Sequence, residues 1–160
     1  MAAVDYFLKI EGIQGESLDA KHRGEIELES FSWGEESTGS RPGGAGAGAG
    51  KVQIEDLHVV MKANKASPLL LLACAAGQHH KQAVLTARRA GKSQIDFLVY
   101  RLTDVRVSSY RTVGTVDAVP TDQVSLGFSR IEVELRSQKP DGSLDAPVKA
   151  GWDVKANRRV

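Results

Sequence analysis

Apolar and polar residues alternate at strand period along most of the chain. Val4, Tyr6, Leu8 and Ile10 alternate with Asp5, Lys9 and Glu11, which predicts a half-buried strand interrupted only by Phe7 and ended by Gly12 and Gly15. Residues 16–24 read as a polar connection. In residues 25–33 the apolar set starts on even positions, Ile26 and Leu28, and moves to odd ones, Phe31 and Trp33. Residues 52–61 repeat the move, from Val52 and Ile54 to Leu57, Val59 and Met61. A third instance takes Val124, Leu126 and Phe128 to Ile131, Val133 and Leu135. A one-residue slip exchanges the two faces of a strand. Three such slips predict bulges in long, bent strands, the kind that close small barrels.

Between residues 82 and 113 the pattern is again strand-like, with a turn at Gly91-Lys92-Ser93. Ile95, Phe97, Val99, Val105 and Val107 hold one phase, and Leu98, Tyr100 and Leu102 supply a second apolar face. A strand apolar on both sides is central or lies at a subunit contact. A final pair, residues 122–136 and 151–156, is separated by a turn at Lys139-Pro140-Asp141-Gly142. One helix interrupts the strands, at about 67–76. Ser67 reads as its N-cap, Pro68 as its first residue and Gly77 as its left-handed stop. The helix is apolar all round, which predicts that it is buried or covers a barrel opening. The fold class is mainly β: a small closed barrel of two antiparallel sheets, about eight strands, one short helix, and a long extended glycine-rich loop at about 35–51. A chain of 160 residues suits one domain, residues 1–160.

Composition narrows the function. Twenty-one basic and 20 acidic residues leave a net charge of +1, which excludes a dedicated nucleic-acid binder. Lys155, Arg158 and Arg159 form a small basic cluster that reads as a solvated tail. Cys74 is the only cysteine, so no intrachain disulfide exists, and it reads as a small core residue of the helix. The first twelve residues have no basic stretch ahead of an apolar one, which argues against a cleaved secretory signal. The longest apolar run, residues 68–77, is too short for membrane insertion.

No catalytic, cofactor-binding or metal-binding constellation stands out. The run of glycine and alanine from Gly43 to Gly50 ends in Lys51, but a phosphate-binding loop needs glycine where Ala45 stands and Ser or Thr where Val52 stands. A strand pattern, not a helix, follows the lysine, which also removes a dinucleotide site. His79 and His80 are adjacent and would point to opposite faces of a strand, so they do not share an ion. Ser32, Asp56 and His58 are the residue types of a hydrolase triad without a nucleophile elbow. Glu25, Glu27 and Glu29 share a strand face as a solvated surface or as a pairing face for a basic neighbour. The glycine run itself has little to bury and a large ordering entropy, so something else must order it.

Several stretches taken together resemble one known family. They are Tyr6-Phe7-Leu8-Lys9-Ile10, Gly15-Glu16-Ser17, Phe31-Ser32-Trp33-Gly34 with the glycine run, and Val52-Gln53-Ile54-Glu55-Asp56-Leu57. Ser67-Pro68-Leu69, Ala73-Cys74-Ala75-Ala76-Gly77 with His79, Val107-Ser108-Ser109-Tyr110 and Gly151-Trp152-Asp153-Val154-Lys155-Ala156-Asn157 continue the series. In this order they resemble the haemolysin-coregulated protein (Hcp) family, the tube protein of bacterial type VI secretion systems. The resemblance implies a structural protein and not an enzyme. It implies homo-hexameric rings that stack into a hollow tube inside a contractile sheath, with a spike protein at the tip. It further implies a cytoplasmic protein that is secreted without a cleaved signal peptide, with effectors held in the lumen in some members. On that reading Ser40, Arg41, Gly43, Gly44, Gly46, Gly48, Gly50 and Lys51 are candidates for ring-to-ring contact. Ser32, facing away from Phe31 and Trp33, is the candidate effector contact on the lumen wall. The alternative is a monomeric β-barrel module that binds a small ligand under the glycine-rich loop as a lid.

Overall fold

The computed structural model describes residues 3–37, 51–91 and 94–160. In chain order the elements are β1 (Val4–Ile10), β2 (Ile26–Leu28), β3 (Ser30–Ser32), β4 (Glu35–Ser37), β5 (Val52–Ile54), β6 (Leu57–Lys62) and α1 (Ser67–Ala76). They continue with β7 (His79–Arg89), β8 (Ile95–Thr115), β9 (Ala118–Gly127), β10 (Arg130–Leu135), β11 (Val148–Asp153) and β12 (Arg158–Arg159). Ten strands form one sheet in the order β12-β11-β10-β8-β7-β1-β2, with β9, β6 and β3 continuing from the far half of β8. β4 and β5 form a separate two-stranded ribbon. The strand pairs are all antiparallel.

The three expected face slips coincide with strand ends. The first falls at Glu29 between β2 and β3, the second at Glu55 and Asp56 between β5 and β6, and the third at Phe128 and Ser129 between β9 and β10. Each stretch expected as one bent strand is therefore two strands that differ in one neighbour or in all of them, β9 and β10 sharing β8. β2 lies on β1 while β3 lies on β6, and β9 lies on β6 while β10 lies on β11. This also corrects the expected closed barrel. The ladders trace an open, branched path, and across Glu29 the link between the two layers is one hydrogen bond, from its N–H to the Val60 carbonyl at 2.8 Å.

The strand that does bend is β8. Its first part pairs with β7 and β10, and from Arg106 onward it pairs with β9. The exchange of β10 for β9 happens around Asp104, which has φ 55, while β7 stays paired through Arg106. A left-handed residue in a strand shifts the side-chain alternation by one. Leu102 before it and Val105 and Val107 after it all face the core. The single phase expected for Ile95 through Val107 is thus not the observed one. It escaped detection because residues 95–102 are apolar on both faces. The Asp104 carboxylate takes His79 Nδ1 at 2.9 Å and Lys155 Nζ at 3.5 Å, fastening the corner to β7 and to the C-terminal segment.

Leu57, Met61, Leu85, Leu102, Val105 and Leu126 are fully buried and fill the space between the layers. α1 packs on β8 through Leu70 and Ala73. Its N-cap is Ala66, which makes no side-chain cap, and Ser67 is the first helical residue. The Ser67 hydroxyl instead donates to the buried Asp122 carboxylate of β9, which also accepts from Thr112 Oγ1 of β8 at 2.8 Å. Gly77 closes the helix at φ 61, as expected. Of the two expectations for this all-apolar helix, burial or cover for an opening, full burial is not observed: Leu69, Leu71 and Leu72 are exposed.

The expected polar connection before β2 is a covering loop. It seats His22 on one face of the Phe7 ring, with ring centroids 4.3 Å apart and planes 8° from parallel. Arg88 lies 4.8 Å from the same ring. The loop comes so close to the chain that a Cβ on Gly15 would sit 2.5 Å from the Glu25 carbonyl oxygen. Phe7, which spoils the alternation in β1, is therefore an outward residue with a roof of its own.

Candidate functional site

Ser32 closes β3, and its register places it opposite His58 of β6, which is in turn opposite Ser125 of β9. Side chains alternate along the strand, so Phe31 turns inward, where its ring meets Tyr6 at 5.2 Å and Tyr100 at 5.6 Å. Ser32 is exposed on the other side. His58 Nδ1 is 2.7 Å from Ser125 Oγ. Beside them an open recess of about 460 Å³ is lined by His58, Ser109, Arg111, Gln123 and Ser125 among others. The face offers hydroxyl, imidazole, amide and guanidinium groups to a partner. The triad residue types do not assemble: Asp56 accepts a hydrogen bond from Ser108, while His58 is bonded to Ser125.

The ribbon of β4 and β5 narrows the expected loop. Glu35, Glu36 and Ser37 pair with Ile54, Gln53 and Val52, so strand structure covers part of what the sequence reading assigned to loop. Its base is fixed by Trp33 Nε1 donating to the Glu55 carbonyl at 2.8 Å and by the Glu55 N–H donating to the Gly34 carbonyl at 3.0 Å. The candidates Ser40, Arg41, Gly43, Gly44, Gly46, Gly48 and Gly50 lie outside the described residues. Lys51 is described, and it is exposed immediately before β5.

The histidine pair divides as the alternation requires. His79 Nδ1 reaches Asp104, while His80 Nδ1 donates to the Glu11 carbonyl at 2.9 Å. Among the described residues no group of three or more His, Cys, Asp or Glu is placed to hold a metal ion. Cys74 is a free thiol partly buried against the core. Arg158 and Arg159 form a short strand on β11, opposite Asp153 and Trp152, so the expected solvated tail is paired along its backbone while both residues stay exposed.

Sequence reasoning missed one charged cluster. Arg88, with a side chain 4% exposed, reaches Asp19 Oδ1 at 2.7 Å and Asp5 Oδ2 at 3.2 Å. The hydrogen bond from Arg88 holds the Asp19 carboxyl down at about 2, below its usual 3.8. Arg101, 2.9 Å from Glu134, likewise lowers the Glu134 carboxyl. Only the positional alternation of Arg88 with Ala87 and Leu85 pointed to its face, and nothing in the sequence pointed to its partners.

Residues 7–135 match the family described as "Type VI secretion system effector, Hcp". The chain belongs to the Hcp family. It is 42% identical over 159 residues to protein hcp1 of Pseudomonas aeruginosa, covering 97% of this chain and 98% of that one. Among solved structures, Hcp1 from Salmonella typhimurium superposes with a TM-score of 0.80 at 33% identity, covering all of both chains. A structure described as a type six secretion system protein gives a TM-score of 0.92 at 26% identity, covering 99% of this chain and 100% of the other. The Hcp family is one of type VI secretion components. Among the described residues no helix is long and apolar enough to cross a membrane.

Proposed function

We propose that this Hcp chain is a structural tube subunit. Six copies form a ring, rings stack into a hollow tube, and sheath contraction drives the tube behind its spike out of the cell, with effectors carried in the lumen. The observation that carries this reading is the match to Pseudomonas aeruginosa hcp1 over nearly the full length of both chains. The structure is in keeping with it. Among the described residues the interior is filled by side chains such as Leu57, Leu85 and Leu126. Exposed apolar residues such as Leu69, Leu71 and Leu72 are surfaces of the kind that assembly buries. Ser32 is the effector contact in this reading, and the segment from Ser40 to Lys51 makes the ring-to-ring contact.

Native mass spectrometry of the purified protein tests the first part: the expected particle has six times the protomer mass. A single-protomer mass at high concentration overturns it. Shortening residues 43–50 is expected to leave the melting temperature of the folded protomer nearly unchanged, since closure entropy varies slowly with loop length. It is expected to reduce tube length by electron microscopy and secreted protein by immunoblot. Normal secretion of the shortened variant makes the segment a passive spacer.

A further inference from the structure

The near-neutral total conceals a strong separation of charge along the chain. Residues 1–56 contain eleven acidic and five basic residues, and residues 57–160 contain nine acidic and sixteen basic ones. The sheet converts this separation into position, because β2 stands at one end of the seven-strand path and β12 at the other. Glu27 lies on β2, Glu29 just after it and Glu35 on the adjoining ribbon, and all three are exposed. Arg158 and Arg159 make up β12, are exposed, and lie next to β11 with its exposed Lys149.

The two ends differ from the middle of the sheet. There the charges neutralise one another: Arg101 pairs with Glu134 at 2.9 Å, Arg130 with Glu132 at 2.7 Å and Arg88 with Asp19 at 2.7 Å. Among the described residues, Glu27, Glu29, Glu35, Arg158 and Arg159 make no ion pair. Concentrated like charge at a sheet end repels an identical end and so disfavours a twofold contact that sets two identical ends face to face. Opposite charge at the other end attracts it. A head-to-tail contact brings the unlike ends together, and contacts of that type close into rings or extend as filaments.

We propose that the acidic end, centred on Glu27 and Glu29, docks against the basic end, centred on Arg158 and Arg159, of a second copy of this chain. The inference rests on the assembly reading above and assigns the surfaces that perform it. The test uses two charge-reversed full-length proteins, Glu27→Lys with Glu29→Lys, and Arg158→Glu with Arg159→Glu. Circular dichroism establishes that each is folded, and analytical ultracentrifugation follows assembly. Each reversed protein alone is expected to need more than about tenfold higher concentration to assemble. An equimolar mixture is expected to recover assembly, because the new basic end of one meets the new acidic end of the other. Neutral variants, Glu27→Gln with Glu29→Gln, are expected to fall between the wild type and the reversal. If the reversed proteins assemble like the wild type, or if mixing restores nothing, the assignment of these surfaces is wrong while the assembly reading stands. If the wild type is itself a monomer at every concentration, the assembly reading falls and this inference with it.

Discussion

Arg88 is nearly enclosed, yet it keeps its charge because Asp5 and Asp19 accept its hydrogen bonds and the Phe7 ring lies beneath it. The consequence for pH follows from Asp19. Its folded-state pKa, about 2, is below the ordinary 3.8, so its stabilisation is fully present above about pH 4 and is lost as pH falls toward 2. Asp104, lowered by its hydrogen bond from His79, and Glu134, lowered by Arg101, act in the same direction. Asp19→Asn is therefore expected to lower stability at neutral pH and to flatten its loss between pH 4 and 2, read by urea denaturation across that range. An unchanged acid limb excludes Asp19 as its source. At this scale the sequence was legible wherever a residue's role depends on its neighbours in the chain. Gly77 as a helix stop and Ser32 as the side chain opposite to Phe31 and Trp33 are such cases. Arg88 was not legible, since Asp5 and Asp19 reach it only after β1 pairs with β7 and the covering loop folds down.

At the level of elements, α1 is held by more than its apolar face. The Ser67 hydroxyl and Thr112 Oγ1 converge on Asp122, whose carboxylate is fully buried, and so join the helix start to β8 and β9. A buried hydrogen bond to a charged group contributes about 1.5–3 kcal/mol. Ser67→Ala is expected to cost about 2 kcal/mol in chemical denaturation. Asp122→Ala, which strands two hydroxyl groups, is expected to cost more than that. A loss below about 0.5 kcal/mol for both would mean that water replaces the cluster at no cost. The helix at about 67–76 and the predominance of strands were read correctly from periodicity, but about eight strands were expected where the described residues form twelve. The strand breaks were not legible, because a face slip looks the same in sequence whether a strand bulges or ends. The reverse error occurred in β8, where apolar residues on both faces concealed the shift at Asp104. Lateral partners decide such cases, and they are far away in sequence.

For the molecule as a whole, the proposed assembly makes the exposed leucines of α1 and the oppositely charged sheet ends surfaces of a protomer whose stability includes its neighbours. If so, the apparent melting temperature rises with protein concentration, since assembly binds only the folded state. A calorimetric series over about a hundredfold range of concentration checks this, and a flat series makes the lone protomer the unit of stability. Family membership was legible from short motifs spread along the chain in order. The layout of the sheet was not, because which strand ends carry unpaired charge depends on a strand order that no local pattern encodes. β8 has one more consequence, a mechanical one. Among the described residues it is the strand that belongs to both halves of the sheet, pairing on one edge with β10 up to Thr103 and with β9 from Arg106, while β7 follows the other edge as far as Arg106. A thrust applied to β10 or β11 reaches β6 and β9 along an unbroken covalent backbone, with antiparallel ladders flanking it over most of its length. The halves are loaded in series through that beam, so a pushed protomer resists as one rigid piece instead of letting one layer peel from the other.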